Sequence, residues 1–317
     1  MGDQAEAHLG AADCLRLQGS FTASKRHYRT AEILFQKFSS PRCVDAAAGW
    51  ALSARASGDP GKAVKLLRET LAFYRKDGDR EGQAFALWAL GGALRIAGDM
   101  PEGKKSLLKA LALYRRLGDR EGEAYTHCAL GGLNRMLGRP RETASHYRAA
   151  NLLHRSRRDT FGTAYSFCGL GNVERMAGRW DAALRFFRRA ERLYRIIGDR
   201  VSYAYTLWSI GTDLKMKGDF PGAGGYFKKA DALFQKTGDA RGRAYVFLGY
   251  AELKWLEGRD GSGDLRKAGA FAKAGGYAWE ALHAKVLKGG RVSPRARALY
   301  RSAGSSFVPA KLPVNWP

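Results

Sequence analysis

Acidic residues are scarce in this chain of 317 residues: 30 Asp and Glu stand against 54 Lys and Arg, a formal net charge of +24. An excess of that size favours acidic partners, whether nucleic acid, anionic membrane or acidic protein segments, and says nothing about fold. Long apolar runs are missing too: no stretch of about 18 apolar residues exists to span a membrane. The opening MGDQAEAHLG has neither the basic nor the apolar segment of a secretory signal, so a cytoplasmic setting is the default expectation. Cysteine is sparse. Cys14, Cys43, Cys128 and Cys168 show no CxxC or Cys/His metal spacing and read as reduced, small apolar residues.

Catalytic signatures are absent as well. The chain holds no GxxxxGK[ST] phosphate loop, no HExxH zinc motif and no GxSxG nucleophile. The Gly-x-Gly within YSFCGLGN, Tyr165 to Asn172, lies inside a helical stretch and follows no strand. His127 and Cys128 are adjacent and therefore point in different directions on a helix, with no third or fourth ligand in sight. His8, His27, His146, His154 and His283 are scattered singly and read as surface or packing residues. A protein without catalysis, metal or cofactor is expected. Since 45% of residues are hydrophobic and 26% charged, it should fold rather than stay disordered.

What the chain has is repetition. LGDREGEAYTHCALGGLNRMLGR runs from Leu117 to Arg139, and related phrases begin at Asp77 and Ser156. Gly78-Asp79, Gly118-Asp119, Gly198-Asp199 and Gly238-Asp239 mark one beat, with Arg158-Asp159 filling the missing one. Gly58, Gly98, Gly138, Gly178, Gly218 and Gly258 mark a second beat midway between, so the period is forty residues split in half. Each half is a helix-length stretch with apolar positions at helical spacing, closed by Gly, which suits a left-handed C-terminal cap, and often by Asp, which can cap the next helix. Each repeat therefore reads as a helical hairpin.

Inside the repeat, Phe167, Leu170 and Gly171 followed by Ala183, Phe187 and Ala190 resemble the tetratricopeptide repeat (TPR) pattern of small and large residues. Leu207, Ile210, Gly211, Ala223, Phe227 and Ala230 repeat it, as do Leu87, Leu90, Gly91, Gly103, Leu107 and Ala110. The usual family repeat is shorter, and its proline near the end of the second helix is replaced here by Arg75, Arg115, Arg155 and Arg195. The chain is thus similar to the forty-residue variety with GD between repeats, found in Pins-like and many bacterial arrays. The resemblance implies an all-α fold: an α-solenoid of about seven TPR-like hairpins plus a degenerate C-terminal hairpin, wound as a right-handed superhelix with a concave groove. The hairpins should start near residues 3, 41, 80, 120, 160, 200 and 240, giving an array over 1–260, degenerate capping helices over 261–304 and an extended, proline-containing tail over 305–317.

First helices make the concave wall of such an array. Three places before each repeat-centre glycine stand Arg16, Arg55, Arg95, Arg135, Arg175 and Lys215, with Trp255 breaking the column. The same arc of about 100° carries Phe85, Tyr125, Tyr165, Tyr205 and Tyr245, then Trp88, Cys128, Cys168, Trp208 and Leu248, and also Asn172 and Thr212. The partner-binding candidates are the six cations with Trp88, Tyr125, Tyr165, Asn172, Tyr205 and Trp208. At helix spacings of about 10 Å, neighbouring cations in water repel by only about 0.4 kcal/mol, so folding does not require their neutralisation. An acidic residue about every third position of an extended segment would match the rungs, at about 3.3 Å per residue. The competing reading is packing: arginine stems laid over the aromatic rings of the next repeat.

Three functions follow for comparison. The first is a non-enzymatic protein-interaction scaffold holding an acidic peptide or protein segment in a basic, aromatic-lined groove. In Pins-like arrays an asparagine commonly follows the LG of the first helix; that place keeps Asn172 but is Gly92 and Gly132 elsewhere, which weakens backbone hydrogen bonding to a peptide. The second is nucleic-acid or ribonucleoprotein binding driven by net charge, with aromatics stacking bases. The third is self-assembly, with the tail FVPAKLPVNWP docking on another copy, although folding back over the last helices is the favoured role for a segment ending in Trp316-Pro317.

Overall fold

The computed structural model describes residues 2–317, and helices dominate it. Seven hairpins follow one another: α1 (Gly2–Leu17) with α2 (Phe21–Lys37), α3 (Cys43–Ala56) with α4 (Pro60–Asp77), α5 (Arg80–Ala97) with α6 (Met100–Leu117), α7 (Arg120–Met136) with α8 (Pro140–Ser156), α9 (Thr160–Met176) with α10 (Trp180–Ile197), α11 (Arg200–Lys217) with α12 (Phe220–Thr237), and α13 (Ala240–Leu256) with α14 (Ser262–Ala274). A shorter α15 (Ala278–Val286) and α16 (Ala296–Ser302) follow, linked by a two-residue antiparallel ribbon of Leu287–Lys288 and Arg291–Val292. Odd-numbered helices pack on the next odd-numbered helix as well as on their hairpin partners, so they form the inner wall of the solenoid.

The punctuation works as its chemistry requires. Gly78, Gly118, Gly198 and Gly238 close their helices at φ between 67° and 81°, the left-handed region that a Cβ disfavours. Each following aspartate, Asp79, Asp119, Asp159, Asp199 and Asp239, accepts a hydrogen bond of 2.8–3.0 Å from the backbone N–H three residues on. At the off-beat, Arg158 takes the same left-handed conformation at φ 55° without being glycine, at about 1–2 kcal/mol.

Close approach comes from rings seated on glycine. The Phe187 ring lies where a Cβ on Gly171 would stand 2.5 Å away, and Phe227 sits between Gly211 and Gly249 at 2.8 and 2.6 Å. Tyr147 is held in the same way between Gly131 and Gly169. These glycines include those of the LG pairs, so the small-and-large pattern is the packing interface itself.

The superhelix closes on itself. Moving along the repeat-centre turns, Gly19 faces Val201 and Thr237, Gly58 faces Gly275 and Tyr277, Gly98 faces Ala278, and Gly138 faces Ser306 and Phe307. Ser305 Oγ donates to the Met136 carbonyl at 2.7 Å, and the Ser306 N–H to the Leu137 carbonyl at 3.1 Å. The C-terminal half thus lies along the edge of the N-terminal half, and the hollow side becomes an enclosed bore.

Phe227 is fully buried between two glycines that cannot fill the space it would leave. Phe227→Ala is expected to destabilise the chain by about 3–5 kcal/mol, read as a lowered midpoint in urea denaturation followed by circular dichroism.

Candidate functional site

The six cations of the column fall into three groups. Arg16 is engaged locally: its Nε donates to the Tyr28 hydroxyl at 3.0 Å and its Nη2 pairs with Asp13 at 3.1 Å. Arg55, Arg95 and Arg135 line a cavity of about 300 Å³ in the bore, together with Tyr165, Asn172, Tyr205 and Trp208. Arg175 and Lys215 lie under the C-terminal segment, fully enclosed.

That segment runs along the inner wall without regular secondary structure. The backbone of Val314 is bracketed: its N–H donates to Glu252 Oε2 at 2.6 Å and its carbonyl accepts from Lys215 Nζ at 2.9 Å. Lys215 and Glu252 pair with each other at 2.8 Å. Arg175 donates through Nη2 to the Trp316 carbonyl at 2.7 Å and through Nη1 to the Asn315 side chain, whose amide returns a bond to the Arg175 carbonyl at 3.0 Å. The Trp316 indole donates to Glu252 and its ring lies 4.5 Å from that of His283. An Arg, a Lys and a Glu thereby hold three consecutive residues, half of the bonds going to the backbone of the segment and half to the Asn315 and Trp316 side chains.

The aromatic column divides as well. Tyr125 donates to Asp159 at 2.9 Å with its ring on His154, and Tyr205 donates to Asp239 at 3.3 Å with its ring on Phe234. Both bind the cap of the next repeat. Trp88 packs its ring near Phe85. Tyr165 alone of these is 37% exposed, facing the bore beside the three arginines.

Two features escaped sequence reasoning. Glu252 occupies the same repeat place as Asn172, Thr212, Gly92 and Gly132, six before the centre glycine, so the column held a signal for it. Cys128 Sγ comes within 3.7 Å of His154 Nε2, whose Nδ1 lies 2.8 Å from Asp159, an order of groups seen in cysteine nucleophiles. Burial pushes the Cys128 thiol up and the His154 imidazole down, so the pair stays neutral, the opposite of an activated thiolate. Among the described residues no group of three or more His, Cys, Asp and Glu is placed to hold a metal.

Enclosure changes the electrostatics from those of an open groove. Burial and then Arg95 bring the Arg55 guanidinium down to about 10, and burial and then Arg135 bring Arg175 down to about 9. Burial and then Arg241 lower Arg95. At an effective dielectric constant near 20, cations about 10 Å apart repel by about 1.7 kcal/mol, several times the value in water. At about 10 and about 9, Arg55 and Arg175 remain charged at neutral pH, and each is opposed by a neighbouring arginine, Arg95 and Arg135 respectively.

The contact between tail and bore should respond to acid through His283. Burial, with Arg241 and Arg135 adding to it and Glu280 opposing, pushes this imidazole from 6.5 down to about 3. Below pH 6.5 the unfolded chain takes up a proton that the folded chain refuses. Stability is expected to be complete above pH 6.5 and to drain away as the pH falls towards 3, and His283→Phe should flatten that slope in thermal melts.

The sequence profile described as tetratricopeptide repeat matches residues 82–150 and 160–236. No protein of curated function matches the chain in sequence. Among solved structures, the Rap conjugation gene regulator of plasmid pLS20 in complex with the Phr* peptide aligns at a TM-score of 0.69 and 14% identity, over 89% of this chain and 76% of that one. A Rap protein complexed with competence and sporulation factor aligns at 0.64 and 9%, over 96% and 86%. The apo form of RapI aligns at 0.60 and 12%, over 89% and 98%. At such identities the likeness is one of fold. The profile match, the forty-residue hairpins with rings seated on glycine and the shared solenoid show that the chain carries tetratricopeptide repeats.

Proposed function

We propose that the protein is a non-enzymatic interaction scaffold whose bore receives an extended protein segment, with the chain's own residues 312–316 occupying that place in the state described. The observation that carries this reading is the bracketing of the Val314 backbone by Glu252 and Lys215, with Arg175 on the next carbonyl but one. Backbone groups are common to every peptide, so such a grip transfers to another segment of extended form. The Rap conjugation regulator in complex with the Phr* peptide and the Rap protein complexed with competence and sporulation factor, which share the solenoid fold, add support.

The charge of the bore favours an acidic segment over a basic one. Beyond the tail, the wall continues into Arg55, Arg95 and Arg135. A partner displacing the tail would meet this basic stretch as soon as it extended past the Pro317 position. The tail is held by hydrogen bonds to Met136, Arg175, Lys215 and Glu252 of its own chain, the arrangement expected of a cap.

A chain ending at residue 304 is expected to bind a fluorescent peptide of sequence SSFVPAKLPVNWP, whereas the full chain, whose site is filled, is not. Arg175→Ala in the shortened chain should weaken that binding about tenfold or more, since charge-assisted hydrogen bonds carry about 1.5–3 kcal/mol. Fluorescence anisotropy that stays flat with a shortened chain still helical by circular dichroism would remove the basis of the reading.

A further inference from the structure

We infer that Arg55, Arg95 and Arg135 form a receptor for a small polyanion, a molecule bearing two or more phosphate or carboxylate groups, enclosed within the bore. This site is separate from the grip on the tail: Arg175, Lys215 and Glu252 do not line its cavity. The inference therefore rests on none of the three residues that grip the tail.

The three cations have no ion-pair partner. Among the described residues no carboxylate comes within 4.0 Å of any of them. The cavity wall also carries Arg241, Asp239 and Pro317, the last residue of the chain, and no carboxylate of these lies within ion-pair distance of the three arginines. Arg241 pairs with Glu280 at 2.7 Å, and Asp239 accepts from the Gly242 N–H at 2.8 Å and from the Tyr205 hydroxyl at 3.3 Å. Arg135 is the plainest case, for its Nε and Nη1 are buried without a hydrogen-bond partner. Arg95 has only the sulfur of Met136, a weak acceptor, at 3.3 Å from its Nη1.

The repeat shows how the partners were withdrawn. In repeat five, Asn172 stands three residues before Arg175 and its amide oxygen accepts from Nη2 at 2.9 Å. At the equivalent places before Arg95 and Arg135 stand Gly92 and Gly132, which offer no side chain at all. Gly92 does more than remove an acceptor: a Cβ there would lie 2.3 Å from Arg55 Nη1, so the glycine makes the room in which the Arg55 guanidinium of the preceding repeat lies. Two substitutions relative to Asn172 thus leave a row of cations both unneutralised and unobstructed.

A purely structural role does not account for such a row. Buried N–H groups without acceptors and like charges without counter-ions lower stability, and a methionine of similar length would fill the same space at lower free energy. A bound anion reverses both effects, and planar guanidinium forks suit phosphate and carboxylate oxygens. The volume of about 300 Å³ lies at the small end of ligand pockets, which fits a compact multivalent anion better than a folded segment. Tyr165, open to the same cavity, adds a hydroxyl donor.

The test uses the full chain at constant ionic strength, with pyrophosphate, citrate and a hexaglutamate peptide as separate probes in thermal melts and isothermal titration calorimetry. Saturable one-to-one binding of pyrophosphate or citrate is expected, with Tm rising by several degrees at saturation; which of the two binds tells phosphate from carboxylate. Arg95→Met and Arg135→Met should each weaken it about tenfold or more, while the ligand-free Tm of Arg135→Met stays equal to or above that of the parent. Arg26→Met, at a cation remote from the cavity, should change neither. Silence from both small anions overturns the inference, as does hexaglutamate binding alone, which would assign the row to a protein segment. An Arg135→Met chain with a lowered Tm and unchanged pyrophosphate affinity would also overturn it, by making that residue structural.

Discussion

Everything in this molecule depends on how closely a ring can lie on a glycine. Phe187 against Gly171, Phe227 between Gly211 and Gly249, and Tyr147 between Gly131 and Gly169 occupy space that any Cβ would enter. Repeating that contact at a constant interval repeats the rotation from one hairpin to the next, because packed interiors do not deform continuously. The aspartate caps and left-handed glycines then hold the hairpin ends to the same geometry. Equivalent places along the chain thereby become equivalent places along the inner wall, and a column in the sequence becomes a column in space.

Closure is the second consequence. When the turns at Gly19, Gly58 and Gly98 meet Thr237, Tyr277 and Ala278, the hollow side is shut off from bulk water along one edge. Six cations that would repel feebly in an open groove then experience a lower dielectric, and each needs its own answer. Asp13 and Tyr28 answer Arg16; the C-terminal segment, with Asn172 and Glu252, answers Arg175 and Lys215. The middle three have no such partner. The division of one column into a paired end, a peptide grip and an unpaired centre follows from Asp13 and Asn172 nearby and from where the C-terminal segment comes to lie.

Much of the fold was legible from spacing alone. Hairpin boundaries from residue 80 onward coincide with the GD beats, because glycine conformation and aspartate capping are local properties that need no tertiary context. The first two hairpins are less regular: α3 begins at Cys43, where the Ser39–Arg42 turn has no GD pair. The aromatic column was less legible. Tyr125 and Tyr205 stand at the same place as Tyr165, yet two reach the next repeat's aspartate and one opens to the bore, although Asp199 stands in the same relation to Tyr165, so the repeat pattern does not separate them.

The sequence by itself determined the helical hairpins, their number and the alignment of basic residues on one wall, since each follows from periodicity and from interactions within about forty residues. Tertiary structure decided which of those residues the end of the chain satisfies. Arg175 finds Asn315 and Trp316 140 and 141 residues away, and Lys215 finds Val314 at a separation of 99. Such partners meet only after the stack has wound through its turn and brought the end of the chain inside, and no local pattern records that winding.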